Sequence, residues 1–202
     1  MVNVTITVSE EEVKRRLGIL ANKSGQVIAR AANRSINTGK KAIKQETAQI
    51  YNVRQRDVEE IVKIRKATQA NPTAKLTFKD RHKNLYSFGK ESTVKPRYPV
   101  RSSNSYDPDP GYVTATVKKT RTNVPLSGRP KPFVQISPQN GYILLFQRKS
   151  NDARAPLRGV AAPALPQIVK NEKVMARFSR DAGSMFVKRL DHEITRVLKE
   201  GK

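Results

Sequence analysis

Cysteine is missing from the chain altogether, which excludes disulfides, thiolate nucleophiles and cysteine-based zinc sites. Tryptophan is missing too, and the apolar share of 37% is below the usual globular level, so part of the 202 residues is expected in arms or long loops outside a compact core. Histidine is scarce. His82 and His192 fall in unrelated segments, so neither a His-based triad nor a metal site is suggested. Acids are scarce against bases: 17 Asp and Glu oppose 40 Lys and Arg, a net charge of +23. Isolated copies with that charge repel one another, and an anionic partner or a larger assembly must absorb it, whether nucleic acid, acidic protein or membrane surface. No apolar run approaches the roughly 18 residues of a spanning helix. The start, Met1-Val2-Asn3-Val4-Thr5, has neither the basic nor the apolar region of a secretory signal, so a cytosolic location is expected.

What is present is organised around Ser24 to Asn52. Ile28, Ala32, Ile36, Gly39, Ile43, Thr47 and Ile50 recur in steps of three and four, one stripe of a long amphipathic helix. Arg30, Arg34, Lys40, Lys41, Lys44 and Gln45 occupy the other faces, and Ser24 is expected as N-cap. Gly39 costs about 1 kcal/mol of helix propensity relative to Ala. It therefore marks either a close-packing contact or subunit interface, or a tolerated glycine in a core helix.

The remaining elements follow in order. Alternation from Val2 to Val8 predicts a first strand, and Ser9 with Glu12 has the spacing of a capping box opening a helix over 10–20. Asn52 interrupts the long helix, and Asp57 is expected to cap a short turn through Val58 and Ile61. Val62 to Lys79 reads as a hairpin about Ala70-Asn71-Pro72. Residues 80–111 read as a long loop or arm, ending in Asp107-Pro108-Asp109-Pro110-Gly111. Tyr112 to Val117 returns to strand, and Lys118 to Pro132 is a basic connector. Phe133–Ile136 and Tyr142–Phe146 form a hairpin about Asn140-Gly141, and a second long helix runs from about Asn171 to Lys199. The fold class expected is α+β, an antiparallel sheet packed against the two long helices, in a single domain over 1–202.

No constellation proposes a reaction. Gly39-Lys40-Lys41 resembles the end of a P-loop, but Arg34 stands where its first glycine belongs. Asp107 and Asp109, alternating with prolines, describe a turn better than a cation site. The bases say more. Between Val113 and Gly159 the only acid is Asp152, whereas Lys118, Lys119, Arg121, Arg129, Lys131, Arg148, Lys149, Arg154 and Arg158 are all positive. Such a run gives either salt-sensitive affinity for duplex phosphates or a solvated face meeting acidic neighbours. Without interleaved aromatics or helix-turn-helix spacing, sequence-specific readout is not expected.

The run Ala31-Ala32-Asn33-Arg34-Ser35-Ile36, with Gln45-Glu46-Thr47, Val53-Arg54, Ile64-Arg65-Lys66-Ala67-Thr68, Ala70-Asn71-Pro72 and Ala74-Lys75-Leu76, resembles the minor tail protein Z family of lambda-like tailed phages. A looser second block joins Phe133-Val134-Gln135, Asn140-Gly141 and Phe146-Gln147-Arg148 to the proline-bearing approach to the C-terminal helix. Residues 80–128 depart from the family pattern. The resemblance implies a virion protein, with no enzymatic activity, no catalytic residue, no metal and no cofactor, acting in tail completion and head-tail joining near the DNA conduit. The implied partners are other neck and tail proteins (tail terminator, head-completion or connector proteins) and the genomic DNA passing through the neck, without a membrane. It implies a homo-oligomeric ring, six-fold as the first expectation, assembled in the host cytoplasm. Two residue sets are singled out. Lys118, Lys119, Arg121, Arg129 and Lys131 face nucleic acid or assembly partners; Ile28, Ala32, Ile36, Gly39 and Ile43 form a helix-packing or interface stripe. A non-specific nucleic-acid-binding protein outside any virion is the alternative; a phosphodiester-cleaving enzyme would need a carboxylate cluster that the sequence does not offer.

Overall fold

The computed structural model describes residues 1–6, 9–89, 94–96, 113–137, 139–152 and 154–200. Its elements are β1 (Val2–Ile6), α1 (Glu10–Leu17), α2 (Ser24–Ile50), α3 (Gln55–Glu60), β2 (Val62–Arg65), β3 (Ala74–Phe78), β4 (Val94–Pro96), β5 (Val113–Ala115), β6 (Val124–Pro125), β7 (Phe133–Ile136), β8 (Ile143–Arg148), β9 (Leu157–Gly159), α4 (Leu165–Val169) and α5 (Glu172–Glu200). The α+β class holds, with the strands in three antiparallel sheets of three. Contacts gather into two compact units. One comprises Met1–Thr47, Val58–Asp80 and Leu165–Lys202; the other comprises Ala48–Asp57 and Arg81–Ala164.

The first unit holds the two long helices. In its sheet β3 is central, pairing Val4 with Leu76 on one side and Ile64 with Leu76 on the other. The expected hairpin from Val62 is therefore present, with β1 as its third strand. Alternation puts Ala74, Leu76 and Phe78 on the buried side at 0% exposure, and β1 adds Val2 and Val4. Asn33 of α2 grips the hairpin loop as a second backbone would: its amide donates to the Ala67 carbonyl at 2.9 Å, and its carbonyl accepts from the Ala67 N–H at 2.8 Å. Along α5, Val174, Phe178, Ala182, Phe186, Leu190, Ile194 and Val197 are buried at steps of three and four, and Met175 is half-buried.

Several local expectations are corrected. Ser9 does precede α1, but its side chain makes no capping hydrogen bond, so the capping box is not formed. The helix ends at Leu17 because Gly18 turns to φ 56°, and a 3₁₀ segment over Gly18–Lys23 replaces the simple turn. Ser24 is not an N-cap: its own φ and ψ, −53° and −50°, are helical, and its hydroxyl donates to Glu10 Oε1 at 3.0 Å. Glu10 is held below the ordinary carboxylate range by hydrogen bonds from Lys14 and Ser24. Asp57 does cap α3, from inside its first turn, by accepting the Arg54 N–H at 2.9 Å.

In the second unit the expected strand at β5 and the expected β7–β8 hairpin are present, and β4, β6 and β9 stand where loop, connector and coil were read. β5 pairs with β4 and β6, so part of 80–111 and part of the basic connector are strands. Leu85 and Phe88 are buried as well, and Asn84 repeats the Asn33 device, bonding both backbone groups of Leu145 at 2.8 and 2.9 Å. The hairpin of β7 and β8 forms with Asn140-Gly141 in its loop, Gly141 at φ 70°, and β9 extends it from a stretch read as proline-punctuated coil. Thr7, Val8, Tyr112 and the pair Asp107 and Asp109 lie outside the described residues.

Candidate functional site

The five stripe residues lie in the first unit. Ile28, Ala32, Ile36 and Ile43 are at most 2% exposed, and Gly39 is buried with them. Burial on α2 is broader than one stripe: Val27, Ala29, Ala31, Ser35 and Ala42 are also covered, Ser35 satisfying its hydroxyl on the Ala31 carbonyl at 2.8 Å. Gly39 faces α5. A Cβ there would overlap the Phe178 ring, meeting Cδ2 at 2.6 Å, and would stand 3.2 Å from Ala182 Cβ.

Glu46, Glu59, Asp191 and Glu193 of this unit form ion pairs between helices. Arg177 of α5 donates to Glu46 at 2.8 Å and to Gln45 at 3.3 Å on α2, and Arg16 of α1 meets Asp191 of α5 at 2.6 Å. Hydrogen bonds that Arg177 donates to Glu46 and Asp181 raise its pKa against a desolvation that lowers it, and Arg180 and Arg177 hold the Asp181 carboxyl down. Glu59 of α3 takes both Lys44 and Lys40 of α2, at 2.7 and 3.0 Å, which lowers its pKa to about 2.

The five basic residues lie in the second unit. Lys118, Lys119, Arg121, Arg129 and Lys131 are all exposed and make no ion pair among the described residues. Lys118 and Lys119 are held by backbone pairing to the end of α2 and the residues that follow it: Asn52 N–H donates to the Val117 carbonyl at 2.9 Å, and Lys119 N–H to the Ile50 carbonyl at 3.0 Å. Lys118 Nζ stands 5.8 Å from the centroid of the buried Tyr51 ring. Arg121 follows in a tight turn, its N–H donating to the Lys118 carbonyl at 3.1 Å.

Arg129 and Lys131 line an open groove of about 460 Å³ with Ser127, Gly128, Pro130 and Asn151. The loop carrying them is pinned from the sheet. Gln147 of β8 donates from its amide to the Pro130 carbonyl at 2.7 Å, and Arg158, its register partner on β9, donates to Gln147 Oε1 at 2.7 Å. Gln147 and Gly128 were not singled out from sequence, because a neutral amide in a strand and one glycine in a proline-rich connector carry no signal of this relay. Arg148, on the opposite side of the strand, donates to the Ala155 carbonyl at 3.2 Å and lies 5.8 Å from the Phe133 ring centroid.

Chemistry of other kinds is not assembled here. His82 Nδ1 lies 3.0 Å from the Ala162 carbonyl, and His192 is exposed on α5. Among the described residues no group of three or more His, Asp and Glu could hold a metal ion, and no described helix is long and apolar enough to cross a membrane.

A helical scaffold joined by ion pairs, and a β unit that exposes Lys118, Lys119, Arg121, Arg129 and Lys131, make a component that binds other macromolecules, here a structural protein of a phage tail. The chain belongs to the prophage minor tail protein Z family, whose model matches residues 10–200. No curated protein and no solved structure matches it. Membership places the protein in the virion and among the other tail or neck proteins that it contacts.

Proposed function

We propose that the protein acts in tail completion and head-tail joining, at the head-proximal end of the tail beside the path of the genomic DNA. It does so as a closed ring of identical copies, six being the number expected, docked on tail terminator and head-completion or connector proteins and assembled in the host cytoplasm. The observation that supports this reading is the acid-poor cationic run of the second unit in a chain of a tail family: one acid, Asp152, among nine Lys and Arg between Val113 and Gly159. A free monomer with that surface repels its own copies, whereas a ring beside DNA and acidic neighbours neutralises it. Closed cyclic symmetry lets each copy present the same surface to the axis or the rim. No reaction is assigned to it.

The test is electron microscopy of lysates from a phage with an early stop codon in this gene, scored beside an infectivity count. Heads and tails that fail to join, or that join into non-infectious particles, are the expected result. Normal infectious particles would sink the neck assignment.

A further inference from the structure

We propose that the groove between the 127–131 loop and the β8–β9 connection is a contact site for the sugar-phosphate backbone of duplex DNA, with Gln147 as its positioning residue. This deepens the assignment beside the DNA path and rests on it.

Two basic loops border the groove. Arg129 and Lys131 come from one, and Lys149 and Arg154 flank Asn151 in the other; all four are exposed. The one acid in the second loop, Asp152, is turned to a structural task, its Oδ1 accepting the Arg154 N–H at 2.9 Å. The first loop is fixed before any ligand arrives. Arg158 orients Gln147, Gln147 holds the Pro130 carbonyl, and Gly128 leaves the room this needs, since a Cβ there would stand 2.5 Å from Gln147 Nε2. Holding two cations on a pinned loop lowers the ordering cost of binding, which long basic side chains on a loose loop would bear in full.

The lining selects among anionic partners. The lining holds no aromatic side chain; its apolar surface comes from the Pro130 ring and from backbone and the aliphatic stems of Arg129 and Lys131, whose charged heads remain exposed. A protein interface is centred on large aromatic or aliphatic anchors seated in a pocket, and none of the six lining residues is one. Single strands are bound through bases stacked on aromatic rings, also lacking here. A duplex backbone asks only for cations and hydrogen-bond donors, and Arg129, Lys131, Asn151 and Ser127 supply both.

The experiment is fluorescence anisotropy of the purified full-length chain with a short random-sequence duplex, from about 50 to about 200 mM salt. Expected is binding that falls steeply with salt. Arg129→Glu with Lys131→Glu should weaken it about tenfold or more and reduce the slope of log affinity against log salt by about 2. Lys63→Glu with Lys188→Glu, the same charge change on exposed residues of the first unit, should leave most of the affinity. Gln147→Met, which keeps length and charge but cannot hold Pro130, should weaken binding severalfold at an unchanged salt slope. Equal weakening by the control pair would overturn the groove in favour of bulk charge, and an unaffected Gln147→Met would overturn its positioning role. Poly-glutamate displacing the duplex at equal charge would overturn DNA in favour of an acidic protein. Stop-codon particles defective at the neck, beside groove variants that bind duplex normally, would remove the groove and leave the neck assignment standing. Normal stop-codon particles beside weakened groove variants would do the reverse.

Discussion

At the scale of single residues, Gly39 shows how packing outweighs propensity. Alanine there would gain about 1 kcal/mol of intrinsic helix stability, but its methyl would run into a Phe178 ring that is itself 5% exposed. Overpacking of a filled site costs about 1–3 kcal/mol, so the steric term wins. Gly39→Ala is expected to lower the denaturation midpoint by a net destabilisation of up to about 2 kcal/mol, and Phe178→Leu in the same chain to return part of it. A chemical denaturation series of the three variants checks this; a stabilised Gly39→Ala would mean that the ring moves aside freely. Asn33 and Asn84 make a related point. Each uses one side-chain amide to satisfy both backbone groups of a distant residue, Ala67 and Leu145. No local pattern announces such a bond, because its partner is decided by the fold.

At the scale of elements, α2 and α3 are joined through one carboxylate. Glu59 meets Lys44 and Lys40 one turn apart on α2, and hydrogen bonds from these two lysines bring its pKa to about 2. A group with a depressed folded-state pKa lends its stability above its unfolded value, near 4.3, and loses it as pH falls toward the folded value. Wild type is therefore expected to lose stability between about pH 4.5 and pH 2 through this group, and Glu59→Gln to flatten that part of the profile. Because the carboxylate is about half exposed, solvent screens the pair, and the effect shrinks further with added salt. Thermal midpoints across that range, for both proteins, decide it; parallel curves would show that Glu59 adds nothing. From sequence, Lys40 and Lys44 were legible on the polar faces of α2, and Glu59 as an acid some fifteen residues further on. That the two meet depends on the chain reversal after α2.

At the scale of the whole molecule, the net charge of +23 governs behaviour in solution. Ion pairs in the first unit weaken with salt, each worth at most about 1 kcal/mol at the surface. Repulsion summed over 40 bases against 17 acids is the larger quantity. Raising sodium chloride from about 10 mM to about 150 mM shortens the screening length from about 30 Å to about 8 Å. The thermal midpoint of the isolated protein is expected to rise over that interval; a fall would put the ion pairs ahead of the repulsion.

Periodicity determined the two long helices, and periodicity with the turn residues Ala70-Asn71-Pro72 and Asn140-Gly141 determined the two hairpins, because these elements repeat a regular apolar pattern and end at residues whose backbone chemistry is local. Composition determined the absence of thiol chemistry and the need for an anionic or assembled setting. Tertiary structure decided the rest. Short strands such as β4, β6 and β9 are too brief to carry a period of their own and exist by pairing with a neighbour. Ser24 lost its expected cap role because a 3₁₀ segment already runs into it. The groove is decided in the same way: Arg129 and Lys131 were visible as charges, but the hold on their loop comes from Gln147 and Arg158, brought opposite each other only by the register of β8 and β9.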